Sequence, residues 1–244
     1  MRFRYEHKYL INAQTAALLQ SRAAGIMEPD SYADDKGGYT VNNIYLDDRY
    51  DSFYLAKEMG QFQRDKYRIR YYNGDLSFIR LERKHKEGIL NYKETLPITP
   101  EQLAQIKKGD LTFALTEPHP LWQKLATLHR LRHMQPRAIF SYRRETLTYK
   151  PATVRLTLDS PLFDSGEKLH MPPFPRKYVK FHSGRPYNLL LEVKYSGFLP
   201  EIIQQLLNGL PLVHTEMSKY STAREQAYLP QKQIKKIFSQ DTHQ

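Results

Sequence analysis

Charged residues recur at two-residue spacing in this 244-residue chain. Glu6 and Lys8 follow that period, as do Arg68 and Arg70, then Arg80, Glu82 and Lys84. Tyr142 and Arg144 repeat it, as do Arg155, Thr157 and Asp159, and Glu192 and Lys194. On a β-strand residues i and i+2 share a face, so each run is a charged stripe. The intervening positions are mostly apolar: Ile69, Ile79 and Leu81, Val154, Leu156 and Leu158, Leu191 and Val193. Arginine's planar fork matches phosphate oxygens two at a time. Carboxylates among such cations are oxygen donors suited to Mg²⁺ or Mn²⁺. The chemistry implied is capture of a phosphate-rich anion with a divalent metal. Phosphoryl transfer in such a site needs positioning and charge neutralisation more than a protein nucleophile, so the lack of a P-loop motif is no objection.

One charged stripe is the ordinary wet side of an antiparallel sheet. Five or more, with arginine prominent, call for a shared environment. A sheet closed on itself, with charges inward and apolar residues outward beneath helices, meets both needs. The expected fold is therefore α+β: a closed antiparallel β-barrel with a charged lumen and helices packed outside.

The elements follow from local signals. Strands are expected over residues 2–11, 39–46, 66–72, 77–84, 89–98, 138–149, 153–160 and 189–195. Asn73-Gly74-Asp75 is a hairpin turn signal. Helices are expected after the cap Asn12, over 50–59, after Thr99-Pro100, over 120–132, over 199–207 and over 218–228. Residues 164–186, with Gly166, Pro172, Pro173, Pro175, Gly184 and Pro186, read as loop. Residues 1–230 are expected to form one domain, followed by a polar tail over 231–244.

The net charge of +11 favours an anionic partner, and 40% hydrophobic residues can build a core. A nucleic-acid duplex needs a broad outer patch, so charges facing a lumen argue against it. No run approaches the roughly 20 apolar residues of a membrane span. Residues 1–11 lack an apolar signal core, which points to the cytoplasm. Cysteine is absent, and the nine histidines show no metal-ligand spacing. Trp122 reads as core, and Arg83 and Arg143 as outward-facing. Lys107-Lys108 and Lys235-Lys236 read as solvated.

These stripes occur within segments that resemble a known family. Arg4-Tyr5-Glu6-His7-Lys8-Tyr9, Lys66-Tyr67-Arg68-Ile69-Arg70-Tyr71-Tyr72, Leu81-Glu82-Arg83-Lys84, Tyr142-Arg143-Arg144, Arg155-Leu156-Thr157-Leu158-Asp159, Leu191-Glu192-Val193-Lys194-Tyr195 and Ser218-Lys219-Tyr220 stand in one order over residues 2–228. Each alone is weak; the ordered set is similar to the VTC domain. That is the polyphosphate polymerase branch of the CYTH, or triphosphate tunnel metalloenzyme, superfamily. The resemblance implies a β-tunnel holding a triphosphate or polyphosphate chain. It also implies transfer of the ATP γ-phosphoryl group to polyphosphate. Catalytic roles fall to Lys8, Arg68, Arg70, Arg144 and Arg155. Phosphate contacts extend to Lys84, Lys93, Tyr142, Lys194, Ser218 and Lys219. Glu192 is the main metal ligand, assisted by Glu6 or Glu82, with Mn²⁺ or Mg²⁺ as cofactor. A membrane protein receiving the product is the implied partner.

Several points stay open. Lys194 either binds phosphate or neutralises Glu192, and Asp159 either ligates metal or pairs with Arg155. Arg4 replaces the first Glu of the superfamily's E-x-E-x-K pattern, which fits the VTC branch. Glu216 stands where the eukaryotic polymerases are expected to carry a basic residue. The chain lacks the SPX-type and membrane domains of those members, which points to a free-standing bacterial domain. Polymerase, tripolyphosphate or nucleotide hydrolase, and non-catalytic binding module remain the three functional readings.

Overall fold

Alternation governs the strands, and the residues between them set the turns. Asn73 and Gly74 both take positive φ, 52° and 73°, the geometry of a two-residue hairpin turn between paired Tyr72 and Asp75. The Asn12 side chain accepts from the Thr15 amide and starts the first helix. Thr99 and Gln102 form a reciprocal capping box with Pro100 in the first turn of another.

The structure is a computed structural model that describes residues 4–161 and 188–228. Its strands are β1 (Arg4–Ile11), β2 (Glu28–Pro29), β3 (Gly38–Asp47), β4 (Gln63–Tyr72), β5 (Asp75–Glu87), β6 (Leu90–Ile98), β7 (Gln135–Tyr149), β8 (Val154–Asp159), β9 (Leu189–Ser196) and β10 (Val213–His214). The helices are α1 (Ala13–Ala23), α2 (Ser52–Glu58), α3 (Pro100–Lys107), α4 (Pro120–Arg132), α5 (Glu201–Leu207) and α6 (Lys219–Tyr228). The expected loop over 164–186 and the polar tail over 231–244 lie outside the described residues.

The strands make one antiparallel sheet in the order β10-β1-β9-β8-β7-β3-β4-β5-β6, with β2 beside β7. Its apolar face is buried twice. Tyr67, Ile69, Ile79 and Leu81 pack under α3 and α4, where Trp122 is core. Leu156, Leu158, Leu191 and Val193 pack under α1 and α5.

The closed barrel expected from the sequence is not what forms. Among the described residues the sheet stays open: β6 and β10, at its two ends, do not pair. It curls instead. Ser218 accepts from Lys66 on β4, while its neighbour Lys219 donates to Glu192 on β9. Those strands stand four steps apart in the sheet, about 19 Å if it were flat. Two features keep the ends apart. β10 is only two residues long, and β6 carries Pro97, which has no N–H to donate. In addition, α6 lies on the concave, charged face, whereas α1, α3, α4 and α5 cover the apolar one. Its Tyr220 packs with Tyr45, Phe140 and Tyr142.

Candidate functional site

The concave face gathers most of the residues singled out from sequence. β1 contributes Glu6 and Lys8, β4 Arg68 and Arg70, β5 Glu82 and Lys84, and β6 Lys93. β7 supplies Tyr142 and Arg144, β9 Glu192 and Lys194, and α6 the residue Lys219, preceded by Ser218. They fall into two regions with different electrostatics.

The first region, across β7, β8, β9 and the start of α6, is a closed ion network. Arg144 grips Asp159 with two hydrogen bonds, at 2.6 and 2.7 Å. The two residues face each other across β7 and β8, so register brings them together. Lys219 reaches Asp159 at 2.7 Å and Glu192 at 2.8 Å. Lys194 holds the other Glu192 oxygen at 2.5 Å, with Arg144 3.5 Å from it. Burial would raise both carboxyl pKa values, but the surrounding cations outweigh it. Asp159 is lowered by Arg144 and Lys219, and Glu192 by Lys219, Lys194 and Arg144. Both carboxylates therefore stay ionised.

The second region, on β1, β4, β5 and β6, carries surplus positive charge. Arg68 and Lys93 share Glu82, through contacts of 2.5 to 2.7 Å. Burial raises the Glu82 carboxyl pKa, yet Arg68, Arg70 and Lys93 bring it down to about 2. Arg70 has no carboxylate contact among the described residues; it donates to Asn43 at 3.0 Å and to the Tyr142 hydroxyl at 3.1 Å. Tyr142 thus keeps its own hydroxyl hydrogen for an acceptor. Lys8 donates to the Met217 carbonyl at 3.3 Å and stands 3.4 Å from Glu6. Lys84 makes no hydrogen bond or ion pair among the described residues. Its ammonium pKa is lowered by burial and by Lys8 and Arg68, although Glu6 and Glu192 oppose that.

These contacts show where several residues singled out from sequence sit. Lys194 touches Glu192 directly. Asp159 pairs with Arg144 and Lys219, not with Arg155, because register sets Arg155 opposite Thr148 and Lys194. Arg155 turns instead to Asp30 and the Tyr39 hydroxyl, at 3.1 and 3.0 Å. Glu216 is 92% exposed and near His214. Arg83 faces outward to Asp65 and Glu94, and Arg143 to Asp34.

Sequence reading missed Lys66, Asn43 and Tyr45. Lys66 precedes Arg68 by two residues, so the same alternation marks it. Asn42 and Asn43 are adjacent amides between Val41 and Ile44 in a buried strand, itself a signal. Tyr45 accepts from Arg68 at 3.3 Å and stacks on Tyr220. Burial would raise its phenol pKa, but Lys66, Arg68 and Arg70 bring it to about 7.

For a metal, the donors are unequal. Among the described residues no three Asp, Glu or His side chains form a cluster able to hold an ion. Both Glu82 oxygens and both Glu192 oxygens are engaged by cations. Glu6 is the more open carboxylate: its side chain is 35% exposed and its one ion pair among the described residues is the 3.4 Å contact with Lys8. Burial and the nearby Glu192 push its carboxyl pKa up, but Lys194, Lys8 and Lys84 outweigh them and hold it below the ordinary glutamate value. One or two carboxylates completed by phosphate oxygens are what Mg²⁺ takes in phosphate sites. Glu6 fits that role; Glu192 and Glu82, each held by two cations, would join it only by giving up one of those contacts.

The VTC domain model matches residues 3–228, and the chain belongs to that family. A candidate adenylate cyclase from Bacillus halodurans has a similar fold, with a TM-score of 0.50 at 16% identity, covering 92% of this chain and 96% of that one. A second candidate cyclase, from Vibrio parahaemolyticus, gives 0.47 at 12% identity over 91% and 97% of the two chains. No curated protein matches the chain.

Proposed function

We propose that the chain is a metal-dependent polyphosphate polymerase that binds ATP and a polyphosphate chain along its concave face. The observation that supports this most is the cation surplus of the second region. Among the described residues, Lys8, Arg68, Arg70, Lys84 and Lys93 stand there against Glu6 and Glu82. Such a surface is left uncompensated until a polyanion arrives.

Arg70 and the Tyr142 hydroxyl orient the phosphoryl group to be transferred, and Lys84 and Lys8 neutralise its neighbours. A terminal oxygen of the acceptor chain attacks the γ-phosphorus. The bond from that phosphorus to the β–γ bridging oxygen breaks, and its electron pair leaves on ADP. No side chain needs to gain or lose a proton. Glu6 would hold Mn²⁺ or Mg²⁺, whose chemistry is to neutralise phosphate oxygens as charge shifts to the leaving group. Arg144 and Lys219, fixed on Asp159 and Glu192, brace the opposite wall.

The test is incubation of purified protein with ATP and Mn²⁺. Polyphosphate that stains, formed with one ADP per phosphate added, is expected. Free phosphate with ADP in its place would make the chain a hydrolase, and tight binding with no turnover would make it a binding module. The engagement of both Glu192 oxygens by Lys194 and Lys219 favours the binding module as second reading.

A further inference from the structure

Lys66 is a cation that the roles above leave unused. It shares the concave face of β4 with Arg68 and Arg70. Its ammonium donates to the Ser218 hydroxyl at 3.1 Å and sits over the rings of Tyr45 and Tyr220, at 4.8 and 5.5 Å from their centroids. Among the described residues it makes no ion pair. Glu58 is within electrostatic reach, but its Oε1 already receives the Ser221 hydroxyl and the Lys57 ammonium.

The surroundings are cationic. Burial lowers the Lys66 pKa first; Tyr45 raises it, and Arg68, Lys8 and Lys84 lower it further, to about 8. Lys8 bonds the Met217 carbonyl, and Lys66 bonds the side chain of the very next residue. Two ammonium groups are therefore held side by side at the start of α6, with Lys84 facing them. A lysine kept only to anchor α6 would be paired with a carboxylate or replaced by an apolar side chain, since an unpaired buried charge is costly. Aromatic faces and one hydroxyl hold the cation, and the Tyr45 phenol, with a pKa of about 7, offsets it only in part near neutral pH.

We propose that Lys66 is a further phosphate ligand. A phosphoryl group of the bound chain sits among Lys8, Lys66 and Lys84, and Ser218 with the Tyr45 and Tyr220 rings forms the resting place of the ammonium when the chain is absent. This rests on the phosphate-chain reading of the concave face. It adds a contact on β4 on the side of Arg68 away from Arg70, and it explains how three lysines tolerate one another: the ligand supplies negative charge.

Calorimetric titration of the full chain with tripolyphosphate, at fixed salt and pH 7, is the test. Lys66→Met should weaken binding at least tenfold while melting at the temperature of the parent protein, and Lys66→Arg should restore most of the affinity. In the unaltered protein, NMR of the lysine ammonium groups should show the Lys66 pKa rising when tripolyphosphate is added. That measurement stands even if the methionine variant does not fold. Unchanged affinity in Lys66→Met, or a Lys66 signal indifferent to tripolyphosphate while binding occurs, overturns the assignment and leaves the phosphate-chain reading intact. No binding by the parent protein would overturn both.

Discussion

The two walls of the concave face carry the same residue types and use them differently. Around Asp159 and Glu192, three cations meet two buried carboxylates, and each partner fixes the others. On β4 and β5, Arg70 is held by an amide and a phenol, Lys66 by a hydroxyl and two rings, and Lys84 by no hydrogen bond or ion pair among the described residues. The first arrangement is complete in itself and resembles structural cement. The second is incomplete and has capacity for an anion. Charge count alone does not separate them; counter-ion placement does.

The sharpest way to break this comparison is to remove Arg144. That would leave Asp159 and Glu192 buried with less compensation. Breaking a buried pair in this way costs about 3–5 kcal/mol, so Arg144→Ala should lose that much stability in urea unfolding. A loss below about 1 kcal/mol, the range of exposed pairs, would mean the network is not cement.

Lys84→Ala probes the other wall and should behave in the opposite way. Stability should stay within about 0.5 kcal/mol, as for surface changes that break no contact. Affinity for tripolyphosphate should fall about tenfold, in keeping with a charge-assisted hydrogen bond of roughly 1.5–3 kcal/mol. Stability loss without affinity loss would reverse the assignment of the two walls.

The walls also differ in their response to pH. Asp159 and Glu192 have lowered folded-state pKa values, so their contribution is present above the ordinary carboxylate range and lost as pH falls through the folded values. Glu82 behaves alike, losing its contribution between the ordinary glutamate value of 4.5 and about 2. Lys66, at about 8, and Tyr45, at about 7, shed protons earlier in the folded protein than in the unfolded chain. Between pH 7 and 10 the unfolded state binds more protons at these two groups, so the empty protein should gain stability as pH rises. Tripolyphosphate affinity should fall over the same range as Lys66 loses its charge. Thermal melts and titrations at pH 7, 8 and 9 would show the opposed trends; parallel trends would refute the link.

Much of the concave face is legible in the amino-acid sequence. The two-residue alternation places Arg68 and Arg70, Glu82 and Lys84, and Glu192 and Lys194 on one face because strand geometry leaves no other choice. Asn73-Gly74, Asn12 and Thr99 announce their turn and caps through local chemistry. Pairing is not legible. Arg144 meets Asp159 because of cross-strand register, and Lys219 joins them because α6 enters the concave face; both are long-range facts. Closure is not legible either, since it depends on whether the two strands at the ends of the sheet meet. The two-residue strands β2 and β10 are too short to show a period.

Arg155 gives the smallest expected effect and the finest test of the boundary between the walls. Resemblance places it among the catalytic cations, but its guanidinium is turned to Asp30 and Tyr39 and its side chain is 40% exposed. An exposed pair contributes about 0.2–1 kcal/mol, so Arg155→Ala should lower stability by no more than that. Tripolyphosphate affinity should drop less than about threefold, the equivalent of well under 1 kcal/mol. A tenfold drop would mean that Arg155 leaves Asp30 when the chain binds. The surplus of free cations would then extend onto β8, beyond the wall formed by β4 and β5.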